Sequence, residues 1–171
     1  MGATEFADDN FGKTVGDAFN KQCDSDQYNF GHSGYTGTLA EKDGFVLLNR
    51  PPRIRADRLK DIIIDAERWM FWADTDEKYR HAYTKPPAKC RKAWERLNEW
   101  YHPVTGETVP WEYSLPDRLY VGVDARDICK TYGEKWGPAL AVELSPAEKK
   151  ERWNGLPRGS KAFLFFGMAS C

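Results

Sequence analysis

The sequence predicts an α+β fold: a mixed, mostly antiparallel sheet of about five strands with helices packed mainly on one side. Three observations predict it. Several segments repeat apolar residues at helical spacing between recognisable caps. Shorter runs, the last of them Lys161 to Ser170 and almost continuously apolar, have the length and composition of strands. No repeat, low-complexity stretch or linker divides residues 1–171, so one domain is expected.

The first element is a helix. Thr14 followed by Asp17 has the pattern of a capping box, and Val15, Ala18, Phe19 and Cys23 fall on one face. Lys42-Asp43-Gly44 has the chemistry of a tight turn, because Asp-Gly readily takes positive φ. Residues 35–41 and 45–49 therefore read as two antiparallel strands. Pro51-Pro52 ends that hairpin, and residues 57–73 follow as a helix burying Ile62, Ala66, Trp69, Met70 and Ala73. After Pro86-Pro87 a third helix gathers Cys90, Ala93, Trp94, Leu97, Trp100 and Tyr101 within an arc of about 120°. His102-Pro103 stops it.

Residues 118–123 read as a strand. Asp124 and Asp127 then cap a helix that buries Ala125, Ile128, Cys129 and Tyr132. Residues 139–144 read as another strand. Ser145-Pro146-Ala147-Glu148 is the strongest helix start in the chain, with Ser at the N-cap, Pro at N1 and Glu at N3. Residues 161–170 close the order as a strand central to the sheet.

Composition excludes several classes. The 171 residues carry 25 basic and 26 acidic side chains, 41% apolar residues and 14% aromatic residues. Such a chain has enough apolar surface to fold, so global disorder is excluded. No run approaches about 18 uncharged apolar residues, so no spanning helix and no membrane partner are expected. Met1 to Asn10 is acidic, without the basic-then-apolar pattern of a leader, and a cytoplasmic location is expected. Cys23, Cys90, Cys129 and Cys171 form no C-x-x-C, and His32, His81 and His102 complete no zinc spacing. Neither a metal nor a cofactor is expected, and the cysteines read as reduced thiols, mostly on apolar helix faces.

Four constellations could carry function. The stretch Gly31, Ser33, Gly34, Thr36, Gly37 and Thr38 offers close backbone approach and hydroxyl donors to a phosphate-bearing ligand, or is simply a strand entry with Gly37 as a bulge. His32 and Tyr35 near it, with Glu143 on a late strand, match the order of the His-Tyr-Glu ADP-ribosyltransferases. In those enzymes the His holds the nicotinamide ribose and the Glu stabilises an oxocarbenium-like transition state. Glu143 between Val142 and Leu144 reads more simply as the solvent face of an alternating strand. Lys85, Lys89, Lys92 and Arg96 lie within about 60° of one helix face and could neutralise single-stranded nucleic acid or an acidic partner, or be a solvated rim.

The aromatic residues are the fourth. Seven Trp and eight Tyr exceed what the helix faces absorb, and Trp69-Met70-Phe71-Trp72 cannot all face one side of a helix. Trp72, Trp111, Tyr113, Trp136 and Trp153 are the expected anchors of a protein-binding surface, since Trp and Tyr dominate such surfaces.

Ala18-Phe19, Gly31-x-x-Gly-Tyr-Thr-Gly-Thr-Leu-Ala-Glu-Lys42, Lys135-Trp-Gly-Pro-Ala139 and Phe165-Phe-Gly-Met-Ala169 resemble segments of short uncharacterised proteins encoded in bacteriophage genomes. The resemblance implies an accessory protein in the cytoplasm of an infected host, binding and disabling a host or viral protein. That is the expected function; a nucleotide-dependent enzyme and a single-strand binder are the alternatives.

Overall fold

The apolar C-terminal run becomes β4 (Lys161–Ser170), and the rest of the sheet is arranged around it in a computed structural model that describes residues 2–31, 35–101 and 124–171. β1 (Ala3–Gly12) pairs antiparallel with β4 along its whole length, from Ala3 opposite Ser170 to Gly12 opposite Lys161. On the other side β3 (Ala139–Glu143) pairs antiparallel with β4, and β2 (Phe45–Leu48) pairs parallel with β3. The order is β1-β4-β3-β2, so β4 is central, as its composition predicts.

Even and odd residues of β4 face opposite ways, and both sets are apolar, so both faces of the sheet need cover. Ala162, Leu164 and Phe166 lie under α2 (Ala56–Asp74), α3 (Ala88–Trp100) and α4 (Ala125–Gly133), with Leu59, Ile63, Leu97 and Ile128 filling that layer. Phe163 and Phe165 lie under α1 (Val15–Phe30), with Ala18 and Phe19 packed on them. Three helices against one is the expected bias to one side.

The strand expectations need correction. Residues 35–41 are not a strand but a loop ending in a 3-10 turn, Leu39–Glu41. Glu41 bends back and accepts from the Thr36 amide at 3.1 Å and the Thr36 hydroxyl at 2.8 Å, which closes the segment on itself. Asp43-Gly44 therefore joins no hairpin, and β2 finds its partner in distant β3. The expected strand at 118–123 lies outside the described residues; four strands are present among those described. β1, for which the acidic N-terminus gives little signal, is one of them.

The caps behave as expected. Thr14 and Asp17 exchange backbone bonds of 3.1 and 3.0 Å at the start of α1. Ser145 and Glu148 do the same for α5 (Pro146–Arg152). Glu148 does more than cap its own helix. It is 1% exposed, and Oε1 accepts the Ala56 amide that opens α2 at 2.8 Å. Oε2 accepts from the Ser145 amide, the Ser145 hydroxyl and Arg50 at 2.9, 2.6 and 2.5 Å. One buried carboxylate thus joins two helix starts and the loop after β2.

All four cysteines are free thiols; Cys90 and Cys129 are buried, Cys23 half-buried and Cys171 exposed. Among the described residues no helix is long and apolar enough to cross a membrane.

Candidate functional site

The proposed catalytic set does not assemble among the described residues. Tyr35 is exposed and packs edge-on against Trp136, centroids 6.1 Å apart, just before β3 begins. Glu143 stands at the other end of β3, exposed, paired with Lys161 at 3.2 Å. A strand of that length at about 3.3 Å per residue keeps the two apart. His32 lies outside the described residues, with Ser33 and Gly34.

The rest of the glycine-rich stretch is occupied internally. Thr36 and Thr38 hydroxyls are 2.9 Å apart, and Thr36 is bound to the Glu41 carboxylate, which would repel a phosphate. Gly31 ends α1 with φ of 85° and meets nothing nearby. Gly37, with φ of 71°, donates its amide to Ser170 at 2.8 Å; a Cβ there would sit 2.5 Å from the Thr4 methyl. Gly37 docks the loop onto the sheet and is not a strand bulge.

The basic stripe is largely committed. Lys85 precedes α3 and sits over the Trp72 ring, Lys89 pairs with Asp65 at 3.0 Å, and Arg96 sits over Trp100. Lys92 is exposed. Among the expected aromatic anchors, Trp72 is half-buried beneath Arg80 and Lys85, and Trp153 packs on Phe11. Trp136 is exposed, while Trp111 and Tyr113 lie outside the described residues.

A cleft of about 340 Å³ opens at the carboxyl ends of β2 and β3, between Arg50, Glu143 and Ser145. Behind it, the Glu148 carboxylate already occupies the Ala56 and Ser145 amides and Arg50, the donors an external anion would need. Hydrogen bonds from Ser145, Ala56 and Arg50 outweigh the effect of burial and hold Glu148 down to about 2. Lys42 is also buried and pushed down to about 8 by burial, but its ammonium is bound at 2.6 Å to the Glu134 carbonyl at the end of α4. Among the described residues no group of three or more His, Cys, Asp or Glu could hold a metal ion.

The outer edge of β1 is open among the described residues. Gly2 and Cys171 exchange both of their backbone bonds, so with this register the even residues of β1 bond to β4. The odd residues direct N–H and C=O away from the sheet. The outward amide of Phe11 is taken by Asn10 Oδ1 at 2.8 Å. The outward amides and carbonyls of Ala3, Glu5, Ala7 and Asp9 have no partner among the described residues, and Ala3, Glu5 and Ala7 are exposed.

The two sides of this edge differ in charge. Toward α2, Glu5 pairs with Lys60 at 3.8 Å, and Asp9 pairs with Arg152, which also grips Asp57. Toward α1, Asp8 and Asp26 pair with no cation among the described residues. Asn10 donates to Gln22 at 3.0 Å, and Gln22 donates to Asp26 Oδ1 at 2.8 Å. Asp26 is 4% exposed; its Oδ2 completes no hydrogen bond, although the Thr38 hydroxyl and the Leu39 and Ala40 amides are near enough to favour its charge. Burial raises Asp26 nonetheless. Burial, then the charge of Asp26, pushes Asp8 up to about 6. The same causes push Cys23 up to about 12, so it is no thiolate nucleophile.

Comparison with protein-family models, curated proteins and solved structures yields no match. Nothing therefore ties the chain to phage biology, and the expected mode of action is overturned by the packing. The largest aromatic cluster among the described residues, Phe6, Phe19, Phe45, Phe163 and Phe165, is buried against α1. Among the described residues the exposed rings that touch do so in pairs, Tyr35 with Trp136 and Phe71 with Tyr83, and not as one continuous aromatic face. Among the described residues Tyr35 and Glu143 do not converge, and Lys85, Lys89 and Arg96 each already have a partner. The sequence reading missed β1 and Asp26. The available signal was the fully apolar β4, which requires a neighbour on each side.

Proposed function

We propose that this chain is a protein-binding module that takes an extended, net-basic segment of another protein as an added strand along β1. The observation that carries the reading is the row of backbone groups at Ala3, Glu5, Ala7 and Asp9 on a ten-residue edge strand, which have no partner among the described residues. Such a row is a template for a further strand, and main-chain hydrogen bonds along it supply affinity. Asp8, which pairs with no cation among the described residues, and the exposed Glu5, held only by Lys60 at 3.8 Å, favour a basic incoming segment. A second copy of the chain is disfavoured, because pairing β1 with itself about a two-fold axis brings these carboxylates together.

The test uses a short alternating Lys-Thr-Val peptide as probe, with amide hydrogen exchange read by NMR. Binding should protect the amides of Ala3, Glu5, Ala7 and Asp9, whose even-numbered neighbours already bond to β4. Ala7→Pro removes one outward N–H while sparing every bond to β4, and should weaken binding at least about tenfold with the circular dichroism unchanged. Equal binding by folded Ala7→Pro, absence of protection at those amides, or self-association of the chain through this edge would each overturn the reading.

A further inference from the structure

The open edge of β1 ends before the strand does. The outward amide of Phe11 is already taken by Asn10 Oδ1 at 2.8 Å, so it offers nothing to a further strand. The Asn10 side chain is held in that orientation by a relay from α1. Asn10 Nδ2 donates to Gln22 Oε1 at 3.0 Å, and Gln22 Nε2 donates to Asp26 Oδ1 at 2.8 Å. Both ends fix the direction of the relay, because the Phe11 N–H can only donate and the Asp26 oxygen accepts. Turning either amide over would set donor against donor and acceptor against acceptor. A second, independent observation lies at the same place. Lys21 Nζ comes from α1, on one face of the sheet, and stands 3.3 Å from the Phe11 ring centroid, although Phe11 packs into the layer on the other face. With β4 on the inner side, the lysine crosses the outer side of the strand there.

We infer that Asn10 and Lys21 form an end stop on the docking edge, which releases the added strand from β1 after Asp9. The inference rests on the edge-binding reading above and names what sets the length and register of the segment taken. Pairing is confined to Ala3, Glu5, Ala7 and Asp9, the odd residues whose N–H and C=O point outward. A segment that continued in register past Asp9 would have to strip Asn10 from the Phe11 amide. It would also have to displace the Lys21 ammonium, which is stabilised over the ring and repels a basic segment. The segment that fits therefore pairs over about seven residues, at about 3.3 Å each, and then turns away.

The test compares two peptides against the intact chain: an alternating Lys-Thr-Val peptide of about seven residues, and the same peptide extended by Thr-Val at both ends to about eleven. Amide hydrogen exchange read by NMR gives the extent of pairing, and fluorescence anisotropy gives the affinity. On the wild type both peptides should protect Ala3, Glu5, Ala7 and Asp9, leave Phe11 unchanged and bind within about twofold of each other. In the double variant Asn10→Ala, Lys21→Ala the longer peptide should protect Phe11 and bind at least about threefold tighter than the shorter one. Gln22→Met, which cuts the relay but keeps Asn10, should show part of that gain, and a wild-type response from it would overturn the relay. Protection of Phe11 in the wild type, or a folded double variant that gains neither protection nor affinity, overturns the end stop. Protection of the other odd-numbered amides in the same spectra leaves the edge reading standing. Absence of protection at every odd-numbered amide overturns the edge reading and the end stop together.

Discussion

Replacing Glu148 by glutamine tests whether one carboxylate holds two helix starts and a loop together. The substitution is nearly isosteric, so it creates no cavity. Its effect is to remove the charge and set an NH2 group against donors. Oε2 receives three donors at once, the Ser145 amide, the Ser145 hydroxyl and Arg50, while Oε1 receives the Ala56 amide. Losing charge-assisted bonds at a fully buried position and stranding Arg50 costs about 3–4 kcal/mol. For a domain of this size that corresponds to a Tm lower by roughly 10 °C.

The pH dependence supplies a second reading from the same protein. The Glu148 carboxyl is held at about 2 in the folded state, below its ordinary range. Its stabilisation is therefore complete above that ordinary range and is lost as pH falls toward 2. Glu148→Gln should lose it already at neutral pH and show a flatter acid limb. Ser145→Ala, which deletes only the capping hydroxyl, should cost about 1 kcal/mol. Calorimetry across this pH range checks all three expectations. If Glu148→Gln costs no more than Ser145→Ala, or leaves the acid limb unchanged, Glu148 is an ordinary cap of α5 and the argument for a shared anchor is wrong.

Asp8→Asn should stabilise the protein at neutral pH by about 1–2 kcal/mol after allowance for solvent screening. Because Asp8 is raised to about 6 in the folded state, the wild type should lose stability as pH rises from the ordinary aspartate range through 6, and denaturation of the variant should lack that slope. Gly37→Ala forces a side chain into φ of 71° and against Thr4, and should lower stability by about 2 kcal/mol in a denaturant titration; an unchanged midpoint would mean that the loop does not dock there.

The helices were legible because their signals are local. Thr14 with Asp17, Asp124 with Asp127 and Ser145 with Glu148 each cap a helix where the sequence places one. The apolar faces of α2, α3 and α4 follow helical spacing, and Cys90 and Cys129 lie buried where the last two put them. Residues 35–41 misled because their turn depends on Glu41 reaching back to Thr36, a bond that competes with extension. The aromatic excess misled too. Spacing along the chain says which rings share a helix face, but not that Phe6, Phe45 and Phe165 meet under α1.

By itself the sequence determined the class of fold, the helices with their caps, and the central place of β4. These rest on interactions within a few residues or on composition that admits only a buried strand. Tertiary structure alone decided that Ala3–Gly12 is a strand, that β2 pairs parallel with β3, and that Gln22 links Asn10 of β1 to Asp26 of α1. The physical reason is the same in each case. Asp8, Asp9 and Asn10 are poor strand formers, and they are extended because β4 offers a full ladder of backbone partners on that side. α1 then folds back over β1, so that Gln22 ties Asn10 to Asp26 and the Asp26 charge helps to raise Asp8.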